Sequence, residues 1–502
     1  MNPGRITSCS QRQIKQSLTL LLLSLLLTSC SSFSPFGGNR DPLSQLRSDI
    51  DQVLRDSIFI PSQVSIKISS IQSGELLFER NSKLLIRPAS NMKLLTSATA
   101  LAILGTSYSF STVISSDSIL SDGTVLGNVY LKGFGNPDLL SADIEQFAAQ
   151  IKDNGIKRIM GGVVADVSFF DDLFWGQGWQ WDDEPYDYAA FISPLTVNDN
   201  CIRVIITPGS NAGEPTIITT DPNTEYITLQ NQTRTVSDTA RKRIQIQRLF
   251  AEHSNTIVVT GEIVVGAKPV REITTVWKPE LYTAQLFHEA LIRNGMSIQR
   301  TPSIGIAPVG KTLVQHNRSI DSLVINLNKI SDNLSAEMTL KTLGAVRRGT
   351  PGTARNGIYV VNEFLNTLGI DTTAYTIADG SGLSYYTLLT TEMILKLLQG
   401  MAKNKELFPL YYKSLPIAGV DGTLRTRMKG SAAEKNLRAK TGSISGVSSL
   451  SGYVISKDGE LIAFSMSMQN FIYPMSLYRK AQDQIGVLLA NFSRERVSLS
   501  TR

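Results

Sequence analysis

Apolar and polar positions alternate from Val64 to Ser69, the signature of a strand with one face buried. Ser73-Gly74-Glu75 is a turn signal, and Leu76 to Phe78 continues as a second strand, so a hairpin opens the folded part of the chain. Pro88 then fixes an extended entry to an Ala- and Leu-rich helix over Lys93–Leu104, which Gly105 stops. From about Thr112 to Val309 the pattern breaks into short β-type runs, among them Val125–Leu131, Ile202–Thr207 and Thr256–Val265, separated by Gly, Pro and Asn. This stretch is expected to be inserted, mostly β material forming one or two domains. Helical periodicity returns over Ser319–Leu343, Tyr359–Leu368 and Thr391–Met401. The end of the chain predicts strands over Ala439–Ser443, Leu450–Ser456 and Glu460–Gln469, with a turn at Lys457-Asp458-Gly459, and then an amphipathic helix over Ser476–Phe492. No internal repeat is present.

The first residues carry a different message. Arg5, Arg12 and Lys15 precede an almost wholly apolar run, Leu18–Leu27, which is short for a membrane span and has the form of an export signal. Leu27-Thr28-Ser29-Cys30 has the form of a lipobox, so residues 1–29 are expected to be removed and Cys30 to receive the lipid. Residues 30–45, rich in Ser, Pro and Gly, would tether the folded part to the membrane. The ordinary alternative is a signal peptide cut near Ser29 without lipidation. Cys9 leaves with the signal, so Cys201 has no intramolecular partner and stability must come from apolar burial. Of 502 residues, 42% are hydrophobic, enough for more than one core. The net charge of +6 includes the three basic residues of the signal, and the mild remainder excludes a nucleic-acid partner as a leading idea. The Arg241-Lys242-Arg243 cluster is expected to be a solvated strand or loop face.

Three strings carry candidate chemistry in one order: Ser90-Asn91-Met92-Lys93, Ser331-Asp332-Asn333 and Lys440-Thr441-Gly442. Ser90 is the only serine three residues before a lysine, and Lys440 the only lysine followed by Thr-Gly. On a helix, residues three apart share a face, so Lys93 lies beside Ser90 and can act as its base once its amine is neutral. Burial and a neighbouring charge such as Lys440 would lower its pKa toward that state. Free N–H groups at the helix start and on the strand of Lys440–Ser443 could stabilise an oxyanion. Gly442 is expected to clear room for substrate on the strand edge, and Lys440 with Thr441 to hold a carboxylate. Taken singly, each string is more often structural: a helix turn, an N-cap and a strand end. With only His253, His288 and His316 in the chain, a Ser-His-Asp triad is disfavoured, and these histidines are expected to be surface or packing residues. No metal-ligand spacing and no cofactor motif is present.

The ordered strings resemble those of the penicillin-recognising serine enzymes, and the resemblance extends further. Pro88–Thr96, the spacing of about 240 residues to Ser331, Asp379-Gly380-Ser381-Gly382-Leu383-Ser384 and Gly419-Val420-Asp421-Gly422-Thr423-Leu424 are similar to the D-alanyl-D-alanine carboxypeptidase/endopeptidase family, the low-molecular-mass class C penicillin-binding proteins. Gly133-Phe134-Gly135-Asn136-Pro137 and Asn198-Asp199-Asn200 add family-like strings within the insertion. The resemblance implies an α/β (α+β) fold: a transpeptidase/β-lactamase-like domain, an antiparallel sheet flanked by helices, from residues 46–111 and 310–502, interrupted by the insert 112–309. It implies catalytic Ser90, Lys93 and Ser331, and substrate binding by Asn333, Lys440, Thr441, Gly442 and Ser443. The implied partners are peptidoglycan peptides, with β-lactams as inhibitors, in the periplasm or at the cell surface. One position departs from the family pattern: Tyr385-Tyr386 follow Gly-Leu-Ser where a basic residue is frequent, which bears on stem-peptide preference. Asp379–Ser384 itself is equally well a tight turn or a substrate contact. The alternatives are a β-lactamase or esterase of the same superfamily, distinguished by fast deacylation, and a non-catalytic peptidoglycan-binding lipoprotein.

Overall fold

The two ends of the chain meet in one sheet. A computed structural model describes residues 41–238 and 242–495; the export segment, Cys30 and Arg241 lie outside them. The expected hairpin forms β1 (Gln63–Ser70) and β2 (Leu76–Arg80). The last three strands are β3 (Arg438–Ile444), β4 (Val447–Ile455) and β5 (Leu461–Gln469). The sheet runs β3-β4-β5-β1-β2 with every neighbour antiparallel, so β3 is an edge.

Alternation along these strands separates two faces. Leu450, Val454, Ile462, Phe464, Met466 and Met468 pack against helix α1 (Pro42–Val53) and the C-terminal helix. The opposite face carries small hydroxyls, with Ser449 bonded to Ser467 at 3.0 Å and Ser451 to Ser465 at 2.9 Å. Asn91, just before helix α2 (Met92–Leu104), donates to Ser451 at 2.8 Å, so this polar strip seats the start of that helix on the sheet. Beyond it, α2 is buried on all sides. Met92, Leu94, Leu95, Ala98 and Leu101 pack with Leu323, Leu340, Val361 and Leu397 in the helical layer.

The pattern over Ser319–Leu343 predicts continuous helix, and the structure divides it into α3 (Ile320–Lys329) and α4 (Asn333–Arg348). The break has a local cause. Ser331 takes a left-handed φ of 66°, and the Asp332 carboxylate caps α4 by accepting from the N–H groups of Leu334 and Ser335, both at 3.0 Å. Helices α5 (Ala354–Thr367), α6 (Thr391–Lys403) and α7 (Met475–Asn491) follow, and α5 begins a turn before the predicted Tyr359 because Thr353 caps it.

Strands Ser109–Ser116 and Lys311–Ser319 pair antiparallel at the side of a second, mixed sheet with Val129–Gly133, Val163–Asp166 and Ser303–Ile304. Helices Ser141–Asp153 and Pro279–Arg293 share its core. Two further three-stranded sheets are centred on Cys201–Thr207 and Thr256–Val264, close to the predicted runs. The run Val125–Leu131 instead splits between two sheets, as Thr124–Val125 and Val129–Gly133. Asp117 explains the bend: its carboxylate accepts from Asn128 N at 2.7 Å and fills the space where a Cβ on Gly127 would lie, 2.0 Å away. Residues 169–201 are seated on α4. Phe170, Trp179, Ala190 and Ile192 pack with Leu334, Met338 and Leu383. Among the described residues no helix is long and apolar enough to cross a membrane.

Candidate active site

Ser90 lies in a 3₁₀ turn, Ala89–Asn91, that runs directly into α2, and the tight turn keeps residues three apart eclipsed. Lys93 Nζ therefore lies 3.1 Å from Ser90 Oγ. The turn is strained, since Ala89 has φ 48°. Two glycines give it room. A Cβ on Gly382 would meet the Ala89 carbonyl oxygen at 1.9 Å, and one on Gly442 would meet the Pro88 carbonyl oxygen at 2.6 Å. The space left by Gly442 is thus taken by the turn that carries Ser90, not held open for substrate as the sequence suggests.

The Lys93 side chain is fully buried and also donates to Asn333 Oδ1 and, at 2.9 Å, to the Ser381 carbonyl oxygen. Burial lowers its pKa from 10.5 to about 8, against the opposing pull of Asp332, Asp379 and Glu337. The cause is burial and not Lys440. The like charge acts the other way, because Lys440 is itself pushed well down by burial and then by Lys93.

A second hydroxyl–amine pair stands opposite. Lys440 Nζ donates to Ser331 Oγ at 2.7 Å and to the Thr441 carbonyl oxygen at 2.9 Å. The left-handed φ at Ser331 turns that hydroxyl out of the helical path, which is how the break between α3 and α4 builds the site. Asn333 donates through Nδ2 to the Tyr188 carbonyl oxygen at 2.6 Å, leaving its second amide hydrogen for another acceptor. On the edge strand, Ala439 N donates outward to Pro416 O at 3.0 Å. Strand alternation therefore points the N–H groups of Thr441 and Ser443 to the same edge, beside Ser90. Thr441 Oγ1 is bonded to Thr423 Oγ1 at 2.8 Å, and Ser443 Oγ accepts from Arg479 at 3.0 Å.

Two cavities meet at Ser90. One, of about 310 Å³, is lined by Asn333, Tyr188, Asp183, Leu383 and Tyr385. The other, of about 610 Å³, runs past Ser331 and Thr441 to Arg427, Arg479 and Lys480. Tyr385 lies under the Arg87 guanidinium, 5.2 Å from ring centroid to Cζ, so a cation reaches this neighbourhood from another part of the chain.

All eight site residues expected within the described region converge here, and Cys30 lies outside that region. The sequence did not single out the support for Lys93. Asp379–Ser384 serves neither as a bare turn nor through its side chains alone, because it presents the Ser381 carbonyl to the lysine. Asp379 holds the segment by accepting from Ser384 N at 2.8 Å, Thr387 Oγ1 at 2.9 Å and Trp179 Nε1 at 3.2 Å. Glu337, buried in α4, accepts from Gly380 N at 3.0 Å and Ser381 N at 2.8 Å, and burial followed by Asp379 pushes its pKa up to about 7. The only sequence signal for Glu337 is its place four residues after Asn333. His253 stacks on Trp277 at 4.4 Å and His316 packs edge-on to Phe147 at 5.5 Å, and neither lines these cavities.

An antiparallel sheet flanked by helices, with the Ser-x-x-Lys turn at the start of the central helix and facing an edge strand, defines the penicillin-binding class of serine hydrolases. In overall fold the chain is similar to penicillin-binding protein 4 of Haemophilus influenzae, with a TM-score of 0.76 at 25% identity over 88% of this chain and 97% of that one. The pattern of the D-Ala-D-Ala carboxypeptidase 3 (S13) family matches residues 46–492, and the chain belongs to that family as a serine-type carboxypeptidase. It is 34% identical to the D-alanyl-D-alanine carboxypeptidase of Actinomadura sp. (strain R39), over 96% of this chain and 91% of the relative. It is 27% identical to D-alanyl-D-alanine carboxypeptidase DacB of H. influenzae, over 83% and 86%.

Proposed function

We propose that Ser90 is the nucleophile and Lys93 its base in cleaving the D-Ala-D-Ala bond of peptidoglycan stem peptides, and that β-lactams acylate the same serine. The observation that carries this reading is the 3.1 Å approach of the buried Lys93 amine to Ser90 Oγ, with the Ser331–Lys440 pair across the groove. Ser90 Oγ attacks the carbonyl carbon of the penultimate D-alanine, and its proton passes to Lys93 Nζ. The N–H groups of Ser90 and Ser443 receive the oxyanion, each donor worth roughly 3–4 kcal/mol in such a site. As the C–N bond breaks, the proton that Lys93 took passes to the leaving amine by way of Ser331 Oγ, which Lys440 holds, and Lys93 is neutral again. Water then attacks the ester, Lys93 takes its proton, and Ser90 Oγ leaves and is reprotonated. Asn333 uses its free amide hydrogen on the substrate amide. Lys440 lies buried beneath the strand and gives hydrogens to Ser331 Oγ and the Thr441 carbonyl oxygen, so the terminal carboxylate meets Thr441 and Ser443 first.

The same steps on D-Ala–meso-diaminopimelate cross-links make the protein a DD-endopeptidase, a reading supported by the size of the groove on the leaving-group side. H. influenzae penicillin-binding protein 4 has been crystallised with a β-lactam, which supports the inhibitor reading. The protein is exported, to the periplasm or cell surface, and anchored through a lipid on Cys30; the basic n-region, apolar run and lipobox support this. Residues 46–111 and 310–502 are read as the catalytic domain and 112–309 as the insert; the pairing of Ser109–Ser116 with Lys311–Ser319 inside the second sheet supports a departure near Tyr108 and a return near Ile320, later than residue 310.

A fluorescent penicillin tests the reading: covalent label on the wild-type chain and none on Ser90→Ala is expected, and an equally labelled variant refutes it. Mass analysis after incubation with a pentapeptide and a cross-linked muropeptide dimer separates loss of one D-alanine from splitting of the dimer. Rapid release of hydrolysed penicillin would favour the β-lactamase alternative.

A further inference from the structure

The larger cavity is far roomier than a departing D-alanine needs. At about 610 Å³ it falls in the range that encloses a drug-sized ligand, whereas free D-alanine has only a few heavy atoms. It begins at Ser90 and Ser331, passes Thr441 and Ser443, and ends on three cations, Arg427, Arg479 and Lys480. Asp483 is the one acid in its lining, and it is committed to Arg427 at 2.7 Å. Arg427 also bonds Gln482 and the Arg479 carbonyl oxygen, both at 3.2 Å.

Arg479 has a different situation. Its side-chain bond goes to the neutral Ser443 Oγ, and among the described residues no carboxylate forms an ion pair with it. Burial and the nearby Arg427 lower its pKa, with Asp483 opposing, so its positive charge is uncomfortable where it stands. Lys480, next to it, forms no ion pair with any described residue. Three cations against one acid leave an excess of two positive charges in the groove. Elsewhere the fold pairs comparable groups: Lys341 with Asp171, Lys329 with Asp421, Arg248 with Glu184.

We infer that Arg479 and Lys480 form an anion subsite on the leaving-group side, and that it selects leaving groups bearing a carboxylate beyond the one next to the scissile amide. The inference rests on the Ser90–Lys93 reading, because that serine fixes which end of the groove receives the leaving group. The planar guanidinium of Arg479 offers the paired donors that a carboxylate accepts, and Lys480 adds charge without fixed geometry. Ser443 orients Arg479 from the edge strand, so the subsite and the oxyanion donor share one residue. A neutral leaving group of the same shape leaves this charge unmatched.

The test uses three synthetic peptides with one acyl part ending in D-alanine and with D-alanine, D-glutamate or D-glutamine as the leaving residue. Wild-type kcat/KM is expected to favour D-glutamate over its neutral isostere D-glutamine by roughly ten- to hundredfold, the span of a hydrogen bond to a charged group. The preference should shrink as salt is raised, since the pair is only partly shielded from water. Arg479→Gln combined with Lys480→Gln should bring the ratio near one, and Arg479→Lys should keep part of it. Equal rates for the two peptides in the wild type, or an unchanged ratio in the double variant, overturn the subsite. Penicillin labelling is measured alongside. Absence of label and of turnover on all three peptides refutes the Ser90 reading instead, while full label with no charge preference refutes only the subsite.

Discussion

The pH dependence of Ser90 acylation is the most demanding consequence of the geometry. Lys93 must be neutral to take the serine proton, and burial brings its pKa from 10.5 to about 8. At pH 7 about a tenth of the molecules then hold a neutral amine, against about three in ten thousand at the unperturbed value. The drop of 10.5 − 8 = 2.5 units is a gain of roughly 300-fold in the reactive form and about 3 kcal/mol of differential stabilisation. The second-order rate of acylation by a fluorescent penicillin, followed in a stopped-flow instrument, should rise tenfold per pH unit from pH 6 and level off near pH 8. Asp332 supplies the sharper test, because its carboxylate is the largest force holding that pKa up. Asp332→Asn keeps an N-cap of similar quality for α4 while removing the charge. The midpoint should therefore move down, by roughly one unit, and acylation at pH 7 should rise about fivefold. A rate flat between pH 6 and 9, or a midpoint that stays or moves up in the variant, refutes Lys93 as the base.

Three further outcomes follow from particular contacts. Gly442→Ala places a methyl 2.6 Å from the Pro88 carbonyl oxygen, so it should cost about 1–3 kcal/mol of stability and slow penicillin acylation, and an unchanged Tm and rate would refute the packing argument. Glu337→Gln leaves one acceptor oxygen where two now serve the amides of Gly380 and Ser381, and a loss of about 1–3 kcal/mol in chemical denaturation is expected; a variant as stable as the parent would show that the segment is held otherwise. Cys30→Ala should move the protein from the membrane fraction to the soluble one, and membrane retention of that variant would count against the lipid anchor.

The sheet and the main helices were legible because their faces differ: β4 and β5 alternate, and α2 is rich in Ala and Leu between Pro88 and Gly105. Helix α4 was harder for a physical reason. Ser335, Glu337, Thr339, Lys341 and Thr342 are all buried in it, so periodicity that equates polar with exposed misjudges the helix at its most important place. Nor does the apolar period register a single left-handed residue. The pattern runs through Ser331 as though α3 and α4 were one helix, and the break that turns its hydroxyl toward Lys440 is invisible to it.

Polar contacts also tie residues 171–188 to the site. Lys341 reaches Asp171 of the insert, Asn333 donates to the Tyr188 carbonyl oxygen, and Trp179 donates to Asp379. Each bond joins the block between the first two motifs to the helix of the second motif or to the segment that steadies Lys93. For Lys341 and Trp179, which are buried, leaving the partner unmatched costs more than the bond is worth when made, so these contacts hold the two regions in one arrangement. The cavity of about 310 Å³ is lined from both regions, with Asp183 and Tyr188 from one and Asn333 and Tyr385 from the other. On the proposed reading, stem-peptide preference is expected to depend on both regions. Beside Tyr385 in that reading stand Arg87, over its ring, and an acid, Asp183, that lines the same cavity.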